Sequence, residues 1–185
     1  VEFKTTVGEI LKIKGTMSID LNRTIYVSDN IKEIHFENVN YANDAELHVI
    51  NSLEQKIVVK IANVTILAHC NSNITDLEIT ENVLIKQTGT AFFDETTIVN
   101  NANMIIDMIA YQNDLIPMVK GSLSKLPKSI SIKRSSKEGP KQNDEYIIFD
   151  GKFDCNLLIE RMKYDNSLFN TARCLDYNNT NIQLL

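Results

Sequence analysis

The sequence predicts a mainly β fold, built as a solenoid-like stack of coils with a C-terminal hairpin-plus-helix cap, and three observations predict it. A β-like run closing on asparagine and followed by a second β-like run recurs at Glu33–Asn38, Val58–Asn63, Leu77–Asn82 and Ile98–Asn103, with the asparagines 25, 19 and 21 residues apart. A period near twenty marks a unit whose apolar side is buried only by stacking on its neighbour. Strand-like alternation of apolar and polar residues recurs in short runs. Between the runs lie Asn/Asp/Ser clusters such as Ser28-Asp29-Asn30, Asn40–Asp44 and Asn71–Thr75, whose side chains bond the local backbone and favour turns.

Taken in order, the expected strands are Met17–Ile19, Thr24–Val27, Ile34–Phe36, Glu46–Val49, Ile57–Ile61, Thr65–Ala68, Leu77–Ile79, Val83–Ile85 and Met104–Ile106. Over residues 16–110 this pattern resembles the parallel β-helix class, in periodicity rather than in any signature sequence, so no functional residues carry over from it. In that class, asparagines at equivalent turns stack, each amide bonding the ones above and below and satisfying polar groups that would otherwise be buried unpaired. Asn38, Asn63, Asn82 and Asn103 are the candidates for such a ladder. Regular short strands also fit a β-sandwich or jelly roll, which is the alternative fold.

After Tyr111 the repeat fades, which divides the chain into a solenoid-like domain, residues 1–111, and a C-terminal cap or appendage, residues 112–185. In the cap, Ser129–Lys133 and Glu145–Phe149 flank a polar loop and read as a β-hairpin with a long tip. Asp154 can cap a helix over Cys155–Lys163, whose Leu158, Ile159 and Met162 share one face. A cap of this kind covers the core and strand edge that a solenoid end exposes.

Composition narrows the class. With 43% hydrophobic residues in 185, the chain can build a sizeable core, which argues against disorder. Net charge is −8 over residues 1–117, +6 over 118–143 and −3 over 144–185, summing to −5. The 21 asparagines and 24 isoleucines, with no tryptophan, reflect AT-rich codons in part. No apolar run is long enough for a membrane helix, so no transmembrane segment is expected. The chain starts without a leader-like segment and reads as a portion of something longer. Of three cysteines, Cys155 and Cys174 are expected to pair as a disulfide, leaving Cys70 as a buried thiol. No CxxC spacing marks a zinc ribbon or redox centre.

Catalytic motifs are missing, and with them the signatures of nucleotide cofactors, so neither an enzyme nor a cofactor is expected. His35, His48 and His69 alternate with apolar neighbours, and His48 and His69 fall out of register between repeats, so no metal site is expected. Among the carboxylates near the coils, Glu33, Glu37, Glu46, Glu78, Glu81, Asp94 and Glu95, a pair such as Glu37 and Glu81 would suit glycoside hydrolysis if it stood about 5–10 Å apart. Lys120, Lys125, Lys128, Lys133, Arg134, Lys137 and Lys141 form a basic block, and Lys133, Arg134, Lys137 and Lys141 on the hairpin are its candidate binding residues for an anionic partner. Without interleaved aromatics, nucleic acid is not the expected ligand. Four glycosylation sequons occur, at Asn22, Asn63, Asn73 and Asn178; Asn22, Asn73 and Asn178 are the candidate acceptors, because Asn63 would be enclosed by the ladder.

These features point to a non-catalytic interaction module of a secreted or cell-surface protein, acting in adhesion or recognition of a carbohydrate or protein ligand, within a larger chain or assembly. The alternatives are a polysaccharide-active β-helix enzyme or its remnant, and an intracellular scaffold.

Overall fold

The computed structural model describes residues 2–42, 45–67, 72–86, 90–107, 119–122, 125–133, 145–164, 171–175 and 181–183. The chain winds as a β-solenoid. Strand β1 (Glu2–Val7) folds back on β2 (Ile10–Ile19), and successive coils then contribute β3 (Arg23–Val27), β4 (Glu33–Tyr41), β5 (Leu47–Asn51), β6 (Val58–Ile66), β7 (Ser72–Ile74), β8 (Glu78–Lys86) and β9 (Ala91–Phe93). The later coils add β10 (Ile98–Val99), β11 (Asn103–Asp107), β12 (Val119–Ser122), β13 (Ser129–Lys133), β14 (Glu145–Lys152), helix α1 (Cys155–Arg161), β15 (Met162–Tyr164), β16 (Thr171–Leu175) and β17 (Asn181–Gln183).

A long sheet runs β1-β2-β4-β6-β8-β11-β13-β15, with β10 also on β8; a second runs β17-β16-β14-β12-β9-β7, and β3 and β5 form a separate pair. Among the named strands, pairing is parallel except for β1 with β2 and β16 with β17. Each of these antiparallel strands covers an edge that would otherwise offer unpaired backbone groups.

Stacked aliphatic side chains form the core. Register aligns Met17, Val39, Val64, Val83, Met104 and Ile130 in one column and Ile19, Tyr41, Ile66, Ile85, Ile106 and Ile132 in the next. All of them are buried. Each such side chain contributes about 1.5–3 kcal/mol through loss of apolar surface from water.

Two expected strand pairs turn out to be single bent strands: the described parts of Ile57–Ile61 and Thr65–Ala68 merge in β6 (Val58–Ile66), and Leu77–Ile79 and Val83–Ile85 merge in β8 (Glu78–Lys86). The bend shows in the burial pattern, where strict alternation breaks between buried Phe36 and Val39, Ile61 and Val64, and Ile79 and Val83. Two or three consecutive residues at each break leave the core, so the strand turns a corner without ending.

The expected hairpin of Ser129–Lys133 with Glu145–Phe149 does not form. β13 pairs in parallel with β11 and β15, whereas β14 pairs in parallel with β12 and β16 in the other sheet. Both sheets therefore continue past residue 111. The antiparallel hairpin at the C-terminal end is β16–β17 instead. Helix α1 is capped by Asp154, whose Oδ1 accepts from the Leu157 N–H at 3.1 Å, and it buries Cys155 and Leu158. Cys155 is disulfide-bonded to Cys174 of β16. The Arg161 guanidinium donates to the carbonyls of Leu126 and Pro127, tying the helix to the preceding coil.

Candidate functional site

The corner of the long sheet carries the four repeat asparagines. Asn63 Nδ2 donates to Asn38 Oδ1 at 3.1 Å, Asn82 Nδ2 to Asn63 Oδ1 at 2.8 Å, and Asn103 Nδ2 to Asn82 Oδ1 at 3.3 Å. Ser129 Oγ donates to Asn103 Oδ1 at 2.6 Å and closes the series. Every bond runs toward the preceding coil. The corner residues before the ladder grow from Glu37 or Ala62 alone to Thr80-Glu81, and then to exposed Asn100-Asn101 followed by buried Ala102. Coils of unequal length thus keep one register after the corner.

On the outer face before the corner, Glu33 bonds both the His35 ring and Lys60, the ammonium at 2.9 Å. The His35 hydrogen bond first, and then Lys60, hold the Glu33 carboxyl below the usual glutamate range, while Glu33 raises Lys60 above the ordinary lysine value. His48 likewise pairs with Glu46 at 3.1 Å. His35 stands in register with Lys12 and Lys60, and His48 with Thr24, so neither histidine stacks on another. His69 lies outside the described residues. Among the described residues no group of three or more His, Cys, Asp or Glu is placed to hold a metal ion.

Glu37 lies on β4 and Glu81 on β8, with β6 between them, so two inter-strand spacings of about 4.8 Å set their strands at the wide end of the range for a hydrolytic pair. Glu37 Oε2 also accepts from the Gly15 N–H at 2.7 Å. Its carboxylate is tied to the first coil.

A groove of about 310 Å³ is lined by β5, by the residues that lead into β6 and β8, and by Thr96. Leu47, Val49, Ile57, Val59 and Leu77 form an apolar floor, and His48, Lys56, Asp76, Glu78 and Thr96 stand at its rim. Lys56 pairs with Asp76 at 3.1 Å, Asp76 N–H donates to Thr96 Oγ1 at 2.8 Å, and Asn100 Nδ2 donates to Glu78 at 2.9 Å. An apolar floor with a few polar groups held in place is the usual make-up of a ligand groove. Sequence reasoning passed over Lys56, Asp76 and Thr96, since they come from three successive coils and only stacking brings them together.

Of the basic block, Lys120, Lys125, Lys128 and Lys133 are exposed. Lys133 ends β13 in register with buried Asp107, which is itself in register with Lys86, so an acid separates the two lysines along that row. Arg134, Lys137 and Lys141 lie outside the described residues, as do Cys70 and Asn178. Asn22 is exposed, and its Oδ1 accepts from the Glu46 N–H at 2.9 Å. Asn73 is half-buried on β7.

The fold defines a β-solenoid protein with a disulfide at its C-terminal end. No protein-family model, curated protein or solved structure matches the chain. No helix among the described residues is long and apolar enough to cross a membrane.

Proposed function

We propose that the chain is a non-catalytic interaction module of a secreted or cell-surface protein, recognising a carbohydrate or protein ligand on the outside of its coils. The observation that carries this reading is the groove along β5 and the starts of β6 and β8, where apolar residues lie beneath hydrogen-bonding groups supplied by successive coils. The polar rim is already paired internally, so it offers oriented donors and acceptors to a ligand at little ordering cost. The Cys155–Cys174 disulfide supports an oxidising compartment. The engagement of the Glu37 carboxylate by the Gly15 N–H weighs against the hydrolytic alternative.

Labelled full-length protein applied to a glycan array and to intact cells tests the proposal. Binding should fall at least tenfold in Lys56→Glu and in Thr96→Ala while thermal unfolding stays cooperative. Binding unchanged in both variants would remove the groove from the ligand site.

A further inference from the structure

We infer that Asn73 is an N-glycosylation site whose first sugar packs on Phe92 of the adjacent coil; the inference rests on the secretory reading above. Three features converge. The triplet Asn73-Ile74-Thr75 satisfies the acceptor rule. Ile74 is fully buried, so by strand alternation Asn73 faces outward. Phe92 lies between buried Ala91 and Phe93 and faces the same way, and Asn73 and Phe92 are register partners across the β7–β9 pair.

Parallel neighbours stand about 4.8 Å apart, so a pyranose leaving Asn73 Nδ2 toward β9 begins beside the ring of Phe92. The C–H face of such a sugar suits the electron-rich face of an aromatic ring. Among the described residues β7 is the last strand of its sheet, so Phe92 is the one register partner of Asn73. Lys120 follows Phe92 in the same outer row and Asp150 follows Lys120, extending polar contacts along the path the glycan would take.

Asn63 supplies the internal contrast. It too heads a sequon, but its Nδ2 donates to Asn38 while its Oδ1 accepts from Asn82. A sugar on Asn63 Nδ2 would push between coils, so the folded protein should carry none there.

In the transfer, Asn73 Nδ2 bonds the anomeric carbon of a lipid-pyrophosphate-linked oligosaccharide, the donor of the secretory pathway. The carbon–oxygen bond to the pyrophosphate breaks, the lipid pyrophosphate leaves with the bonding pair, and the amide releases one proton.

The test is to secrete the full chain from insect cells behind a supplied leader and map its glycopeptides by mass spectrometry. After trimming to the first sugar, the acetyl methyl resonance of that sugar is recorded by NMR. Expected are a glycan on Asn73, a bare Asn63, loss of the Asn73 glycan in Thr75→Ala, and an upfield-shifted methyl signal that returns to its free position in Phe92→Leu. A bare Asn73 in secreted, folded protein overturns the site, and a methyl signal indifferent to Phe92→Leu overturns the packing. Because the leader is supplied, this outcome is independent of where native cells place the protein, which cell fractionation measures separately.

Discussion

Along the long sheet the coils are joined through side chains, by the Asn38–Asn63–Asn82–Asn103 series and the aliphatic columns beneath it, whereas β9, β12 and β14 of the second sheet come together where side chains are missing. There Phe93, Gly121 and Gly151 are register partners. Gly121 has φ +109° and Gly151 φ +145°, and a Cβ on either would stand far inside van der Waals contact with the carbonyl oxygen of the preceding coil, that of Phe93 or of Gly121. The same stacking is reached by repeating one favourable contact in one sheet and by excluding one atom in the other. A ladder tolerates the loss of a member better than a close approach tolerates an added carbon.

That contrast sets the order of effects. Gly121→Ala should cost about 4 kcal/mol or more, since it combines a backbone clash with a strained φ. Gly8→Ala, at φ +62° but with nothing near its Cβ, should cost only about 1–2 kcal/mol in the same urea melts. Equal losses would show that conformation rather than close approach governs the glycine stack. Replacing Cys155 and Cys174 together by serine should remove about 3 kcal/mol, as expected for a crosslink spanning 19 residues.

In the ladder, Asn63→Leu strands an acceptor on Asn38 and a donor on Asn82 and should cost about 1–3 kcal/mol, whereas Ser129→Ala removes only the final donor and should cost about 1 kcal/mol. If the two variants melt alike, the ladder contributes little beyond its outermost bond. Tyr41→Phe should go the other way. Among the described residues the buried Tyr41 hydroxyl has no hydrogen-bond partner, and burial raises its pKa. Deleting that oxygen should leave the column intact and stabilise the protein by about 1 kcal/mol in thermal or chemical melts.

The smallest effect belongs to Glu33. Its folded pKa is lowered by His35 and Lys60, so its contribution is fully present above the ordinary glutamate value and is lost as pH falls through the folded value. At a partly exposed ion pair this amounts to at most about 1 kcal/mol. Glu33→Gln should flatten the pH dependence of stability on the acid side, below pH 4.5, and leave it unchanged near neutrality.

Much of this architecture is legible from local chemistry. Alternation around Val39, Val64, Val83 and Met104 marks the inward face, and the asparagine one residue before each marks the corner. Asp154 announces the helix start because an oxygen one turn before a free N–H is a local device. The hairpin expected from Ser129–Lys133 and Glu145–Phe149 fails for the complementary reason: two amphipathic runs joined by a polar loop look alike whether they pair with each other or with earlier coils. The groove was equally hidden, since Lys56, Asp76 and Thr96 meet only through stacking.

The sequence by itself therefore determined the solenoid period, the inward columns, the asparagine positions and the helix cap, because each depends on side chains a few residues apart along the chain. Tertiary structure alone decided which strands share a sheet, that two short runs join as one bent strand, and why Gly121 and Gly151 must lack a side chain. Those outcomes depend on backbone arriving from a neighbouring coil about one repeat away, and no local pattern records where that backbone will lie.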